Sequence, residues 1–463
     1  MISAEQNELM TRIGPGTRAG KLLRGYWQPA ALVDELAGPR PVKAVRLLGE
    51  DFVLFRDERG RYGLLGRTCP HRGADLAYGR LEDGGLRCAF HGWLFDVAGK
   101  CLETPAEPEG SPLCAKVRSR AHPVVERSGI LFAYLGDGDP PAFPSFDCFV
   151  APDAYTFAFK GYWDCNWLQA TEVGIDPTHT SYLHRFFEDE DPAAGYGKPF
   201  RAASADSDMP ITKVMREFAR PEIRVERADY GLRLTTLRRI SDAHTHVRVT
   251  NLLFPQAFII PMSDEMTISQ WHVPVDDQGT YWYAIFTSFG APVDKDKMRA
   301  QRLALYELPD YKPRVGRASN YGFDPGEQHS LTFLGMGADV NVHDQWAVES
   351  QGRIHDRTRE HLGTSDRAIA QYRRMLLDAL ERHGAGQKAL MMIGAEAARA
   401  LTGPPAVDGI GPTDRWEEYW REVDDTRRRN APWAASFPSS DEEGCRAERD
   451  GVVSPASHRE GLA

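Results

Sequence analysis

The sequence predicts an α+β protein in which a small all-β domain precedes a larger domain built on an antiparallel sheet with helices. Three observations carry this reading. From about Tyr26 to Leu135 the chain runs as short alternating or apolar stretches broken by turns, such as VKAVRLLGEDFVLFRDERGRYGLLG, LRCAFHGWLFDVAGK and GILFAYLGDGDPP. The Gly- and Pro-rich segment DGDPPAFP, at 137–144, then separates that pattern from a mixture of helices and longer strands. Length agrees, because 463 residues exceed what one hydrophobic core usually organises.

Taken in order, residues 1–145 are expected to form the β domain with an N-terminal arm, and 146–430 the second domain. In the latter, NWLQATEVGIDPTHTSYLHRFF opens as a helix that Pro177, lacking an N–H, must kink or restart. The runs LRLTTLRRI, HVRVTNLLFPQAFIIP, MTISQWHVPV and YWYAIFTSF read as strands, and SDRAIAQYRRMLLDALERHGAG and RWEEYWREVDDTRRR have helical periodicity. Residues 431–463 are polar and aperiodic and are expected to be a disordered tail.

Composition narrows the function. Lys and Arg number 56 against 66 Asp and Glu, a formal charge of -10, and no basic stretch is interleaved with aromatics, which argues against a nucleic-acid partner. No run approaches the roughly 18 apolar residues of a spanning helix, and MISAEQNELMTRIGPG lacks a basic and then apolar leader, so a cytoplasmic protein without a membrane partner is expected. Cys101, Cys114, Cys148, Cys165 and Cys445 show no regular spacing and read as reduced thiols.

The remaining two cysteines carry chemistry. Cys69-Pro-His71 and, sixteen residues on, Cys88-Ala-Phe-His91 each place one thiol and one imidazole in a turn between strands of the β domain. Two thiolates can hold one iron and two neutral imidazoles a second, giving a one-electron [2Fe-2S] carrier of raised potential. Structural zinc modules pair C-x2-4-C with H-x3-5-H instead. In the second domain Asp176, His179 and His184 have the spacing D-x2-H-x4-H. Two imidazoles and a carboxylate make a facial triad with open positions on Fe(II). At 100° per residue His179 and His184 lie about 140° apart, so a helix carrying both must distort or end between them.

The loops CPHRGADL and CAFHGWLFD resemble those of Rieske domains, with Gly73 and Gly92 permitting tight turns. Neither loop has the extra cysteine of respiratory Rieske proteins. Together with the His179/His184 motif, the chain from roughly 5 to 425 is similar to the large subunit of Rieske ring-hydroxylating oxygenases, with a helix-grip-like catalytic domain. KLLRGYWQPAALVDEL, MPITKVMREFARPEIRVE and HVRVTNLLFPQAFIIPM resemble the phthalate and phenoxybenzoate dioxygenase branch.

The resemblance implies the rest as expectations. Cys69, His71, Cys88 and His91 bind the cluster, and His179, His184 and Asp344, in NVHDQWAVES, bind a mononuclear Fe(II), with Glu349 and Asp356 competing for the third place. Asp176 bridges the centres along a route His91, Asp176, His179. Glu172 takes a tuning or packing role, or is simply a salt-bridged glutamate, and His343 and His355 lie at the surface or behind the ligands. An NAD(P)H-dependent flavin and iron–sulfur reductase supplies electrons, O₂ and a small aromatic are co-substrates, and the assembly is a head-to-tail homotrimer or a stacked hexamer. An aromatic carboxylate would need a guanidinium, for which Arg201, Arg238 and Arg248 are the candidates. The alternatives are a monooxygenase removing O- or N-methyl groups, a Rieske electron carrier, and a zinc module on a small-molecule-binding domain.

Overall fold

A computed structural model describes residues 2–188, 209 and 211–437. Arg201 lies outside them. Two four-stranded antiparallel sheets and a three-stranded one, Gln28–Leu32, Ile130–Ala133 and Val124–Arg127, make the β domain. One four-stranded sheet runs Val42–Leu47, Glu50–Arg56, Tyr62–Gly66 and Ala121–His122, the other Arg80–Glu82, Gly85–Arg87, Leu94–Phe95 and Cys101–Glu103. Side chains of a strand alternate between faces, and Glu50–Arg56 uses both. Val53 and Phe55 enter a core with Leu65, Leu86 and Phe95, whereas Phe52 and Leu54 enter the main core of the protein.

That main core is shared. The N-terminal arm contributes Met10, Leu22 and Leu23, the strand Ile130–Ala133 lies within it, and the helix Arg367–Gly384 adds Tyr372 and Leu376. Its centre is an eight-stranded sheet ordered Thr156–Trp163, Thr280–Ser288, Met266–Pro274, Ala257–Ser263, His244–Leu253, Gly231–Arg239 and Glu222–Ala228, with Val407–Pro412 beside His244–Leu253. Every neighbouring pair in it is antiparallel. Leu237, Val247 and Val249 face the helix Trp416–Asn430 through Trp420. Their alternates Thr236, Arg248 and Thr250 face the opposite way, into a cavity. No helix of the described residues is long and apolar enough to cross a membrane.

Residues 431–437, expected to belong to a disordered tail, are instead ordered. Ala431 and Trp433 are buried with Ala151 and Phe289, and Trp433 Nε1 donates to the Ser288 carbonyl at 2.8 Å. One indole in a polar stretch has no periodicity by which to show itself, yet it anchors the chain. The rest of that segment, 438–463, falls outside the described residues.

A buried ion pair ties the 3₁₀ turn Val33–Leu36 to the eight-stranded sheet. Lys160 Nζ lies 2.7 Å from Glu35 Oε2 and 4.5 Å from the centre of the Tyr281 ring, while Lys43 meets the other Glu35 oxygen at 2.9 Å. Removing one member of a buried pair strands the other charge. Glu35→Ala is therefore expected to cost about 3–5 kcal/mol in denaturant unfolding, and the double change Glu35→Leu with Lys160→Met far less.

Candidate functional site

The two loops of the β domain share one local geometry. Gly73 N–H donates to the Cys69 carbonyl at 2.8 Å and Gly92 N–H to the Cys88 carbonyl at 3.0 Å. Both glycines have φ near +75°, a conformation that L side chains rarely adopt. The turns present two buried sulfurs, from Cys69 and Cys88, and two imidazoles whose ring centres lie 4.5 Å apart. His71 lies flat on Trp93 at 4.4 Å. His91 Nδ1 is sealed from solvent with no hydrogen-bond partner among the described residues, as a metal-facing nitrogen would be. Burial beside the second thiol pushes Cys69 up to about 11, so a strongly cationic centre is needed to hold it as thiolate.

No three of these four ligand atoms converge as a single tetrahedral zinc demands, with ligand atoms under about 4 Å apart. Among the described residues only His179, His184 and Asp344 bring three ligand atoms within 4.8 Å of one another. The donor set of the loops fits a two-iron cluster.

The second centre depends on how a helix ends. Asn166 caps the helix Trp167–Gly174 by accepting from Leu168 N–H at 3.1 Å. Gly174 packs so closely on Phe258 that a Cβ would meet its ring at 2.2 Å. Helical structure stops there, before Asp176, rather than distorting between the histidines, and resumes only as the 3₁₀ turn His179–Ser181. In the intervening turn the Asp176 carboxylate accepts from Thr178 N–H at 2.8 Å, and the Asp176 carbonyl meets His179 Nδ1 at 2.5 Å. A carbonyl only accepts, so Nδ1 carries the proton and His179 Nε2 has a free lone pair.

That lone pair points at Asp344, on the helix Val340–Ser350 capped by Asp339. Asp344 Oδ1 lies 3.7 Å from His179 Nε2 and 3.3 Å from His184 Nε2, sealed from solvent without a hydrogen-bond donor among the described residues. Burial pushes the His179 imidazole down. A carboxylate and neutral imidazole lone pairs facing one point suit a divalent cation.

The competitors for the third place are engaged elsewhere. Glu349 accepts from Tyr321 Oη at 2.8 Å and Asp164 N–H at 2.9 Å, and Asp356 caps the turn Arg357–Arg359. Glu172 sits at 2.8 Å from Arg357 and 2.6 Å from Arg373 in a buried network that reaches Glu360 and His355. It is a salt-bridged glutamate that braces the helix Trp167–Gly174 and does not line the cavity over the triad.

A cavity of about 200 Å³ opens over the triad, lined by Asp176, Ile211, Met215, Phe258, Ile260 and Met262. Its polar wall is the sheet face carrying Thr236, Arg248 and Thr250, with Gln270 and His272 beside it. Arg248 ion-pairs with Asp408 and donates to the Pro261 carbonyl at 3.2 Å. Arg238 does not line the cavity. It is buried against the Phe218 carbonyl at 3.1 Å and Ser181 Oγ at 3.3 Å, with Nη1 unpaired among the described residues, and burial lowers it to about 10. His246 Nε2 meets Asp408 at 2.8 Å, and burial pushes this imidazole down towards the neutral form. Burial also holds His272 neutral, at about 3.

Sequence reasoning missed Asp408, His246, Gln270 and His272. Asp408 hides in TGPPAVDGIGP, where glycines and prolines mask a strand. Strand alternation would have grouped the other three only once a face was known to meet the cavity.

Cluster loops followed by a His-His-Asp triad beneath an apolar-walled cavity define a two-centre oxygenase. Residues 26–121 match the Rieske [2Fe-2S] domain family, and residues 133–434 match the family described as LigXa C-terminal domain like. The chain belongs to the Rieske non-haem iron oxygenases, as an oxygenase subunit with a [2Fe-2S] cluster and a mononuclear iron. It is 35% identical to the phthalate 4,5-dioxygenase oxygenase subunit of Pseudomonas putida, over 84% of this chain and 89% of that one. Identity is 33% to the phenoxybenzoate dioxygenase subunit alpha of Ectopseudomonas oleovorans, over 79% and 83% of the two chains. It is 32% to the 5,5'-dehydrodivanillate O-demethylase oxygenase subunit of a Sphingobium species, over 84% and 82%.

Metal analysis tests the pair of centres. Wild type is expected to hold about three irons and two acid-labile sulfides per chain, and His179→Ala about two irons with the reduced Rieske EPR signal retained.

Proposed function

We propose that this subunit hydroxylates a one-ring aromatic carboxylate of the phthalate type with O₂, using electrons from an NAD(P)H-dependent reductase in the cytoplasm. The observation that carries the substrate class is the charge of the pocket wall. Arg248 is the guanidinium of that wall; behind it the buried Arg238 shares the one carboxylate, Asp408, and burial pushes His246 towards the neutral form, leaving one positive charge over among the described residues. A guanidinium has five N–H donors. Arg248 commits one each to Asp408 and Pro261, and has others for a substrate carboxylate at the cavity surface. The cavity, at about 200 Å³, exceeds the roughly 150 Å³ that admits benzene and suits a single substituted ring.

When bound, the iron supplies open positions for O₂ and the cluster supplies single electrons. The protein's own part is orientation and exclusion of water. Phe258, Ile260 and Met262 pack the ring against the triad, and Arg248 fixes its acid group. Asp176 is proposed as the bridge between centres. Its carbonyl holds His179, and nothing but Thr178 N–H donates to its carboxylate among the described residues, leaving room for a cluster imidazole of a neighbouring copy. A homotrimer, or trimers stacked as a hexamer, is proposed on the same ground. Exposed Tyr182, Phe187, Leu331 and Phe333 form an apolar patch beside the iron ligands, and exposed Phe90 lies beside His91.

Reductase-coupled turnover with phthalate tests this reading, with product analysis. A dihydrodiol supports it. Formaldehyde from a methoxylated substrate with no phthalate turnover would move the chain to the demethylases, and cluster oxidation without product would leave an electron carrier. Arg248→Met is expected to raise KM for the carboxylate about 10- to 100-fold, as loss of a hydrogen bond to a charged group of about 1.5–3 kcal/mol requires, with a smaller change in kcat.

A further inference from the structure

We infer that His343 is a positioning residue for the iron site, holding His184 in the one tautomer that can bind metal; this rests on the mononuclear iron reading above. His343 directly precedes Asp344 on the helix Val340–Ser350 and is fully buried. Its Nε2 lies 2.8 Å from the Gly337 carbonyl, which can only accept, so Nε2 carries the proton. In a neutral ring Nδ1 is then an acceptor. His184 Nδ1 sits 3.3 Å from it, with the rings 22° from parallel. The donor in that contact has to be His184 Nδ1–H, which leaves the His184 Nε2 lone pair facing Asp344.

The relay is anchored at its far end. Gly337 has φ +77°, and its N–H donates to both Glu327 oxygens, at 2.9 and 3.2 Å. Glu327 also accepts from Thr332 Oγ1 at 2.6 Å. One helical turn thus supplies both a ligand, Asp344, and the acceptor that orients another, His184. The two histidine ligands are oriented by different means. His179 leans on a main-chain carbonyl that no side-chain change removes, whereas His184 leans on an imidazole that a substitution can remove. An imidazole acceptor also orients without adding a second negative charge behind the ligands, as a carboxylate in that place would.

A purely structural role, in which His343 only tethers the helix to the 337 loop, makes a different forecast. An asparagine amide reaches the place of the ring Nδ1, and a glutamine amide that of Nε2. His343→Asn keeps the acceptor for His184 and loses the tether; His343→Gln keeps the tether and loses the acceptor. The experiment is retention of the mononuclear Fe(II) in anaerobic competition with ferrozine, with cluster absorption as the internal measure of folded protein. His343→Gln and His343→Leu are expected to lose about 10- to 100-fold in iron affinity, and His343→Asn to stay within about threefold of wild type. Wild-type affinity in His343→Gln, or an asparagine variant as weak as the glutamine variant with its cluster intact, overturns the relay. The Asn and Gln pair decides this even where His343→Leu fails to fold. Failure of wild type itself to hold a third iron overturns the iron reading and the relay with it, and is told apart by that control.

Discussion

Three lone pairs meet with no proton among them. His179 and His184 each have their Nδ1–H spent on an acceptor, and both Nε2 atoms look towards the sealed Oδ1 of Asp344. A buried acceptor left without a partner costs about 1–3 kcal/mol, so the arrangement is tolerated only where a cation makes up the difference. The surrounding structure serves to keep it. The early end of the helix Trp167–Gly174 frees the Asp176 carbonyl, Gly174 lets that helix sit on Phe258, and the Asp339 cap starts the helix that carries Asp344.

Rigidity around the site comes from sharing cores rather than separating them. Glu50–Arg56 sends alternate side chains into the cluster-side core and the main core, so the loops that hold Cys69 and Cys88 are packed onto the same framework as the catalytic sheet. The Glu35–Lys160 pair and the Glu172, Arg357, Arg373 and Glu360 network add fixed charges on either side. Buried ion pairs of this kind add little net stability but penalise any arrangement that separates their members.

What the sequence made legible was local. Each cluster loop packs its thiol, imidazole and glycine into a few residues, and Pro177 announces a break in the helix, although its end at Gly174, ahead of both histidines, was not legible. Asp344 lies far along the chain and was reachable only through resemblance, because nothing in D-x2-H-x4-H says where a third ligand folds back. Pairing across strands stayed hidden. Arg248 opposite Thr236 on one side and Asp408 on the other is a matter of register, and Asp408 sits in a strand full of glycine and proline. His343 read as an ordinary histidine beside a ligand, since its role depends on Gly337 and His184 meeting it from two other segments. Arg238, by contrast, was a reasonable candidate that burial near the end of its strand, against Phe218 and Ser181, removed from the cavity wall.

The most direct measurement is anaerobic thermal unfolding of iron-depleted wild type and Asp344→Asn, each with and without added Fe(II), with the cluster intact. A ligand that binds only the folded state raises its melting temperature, while an amide in place of the carboxylate relieves the unpartnered charge and removes the ligand. Fe(II) should raise the melting temperature of wild type and leave Asp344→Asn unmoved, with the variant at least as stable as wild type when no iron is added. Equal shifts in both proteins, or none in either, would contradict a metal role for the three converging lone pairs.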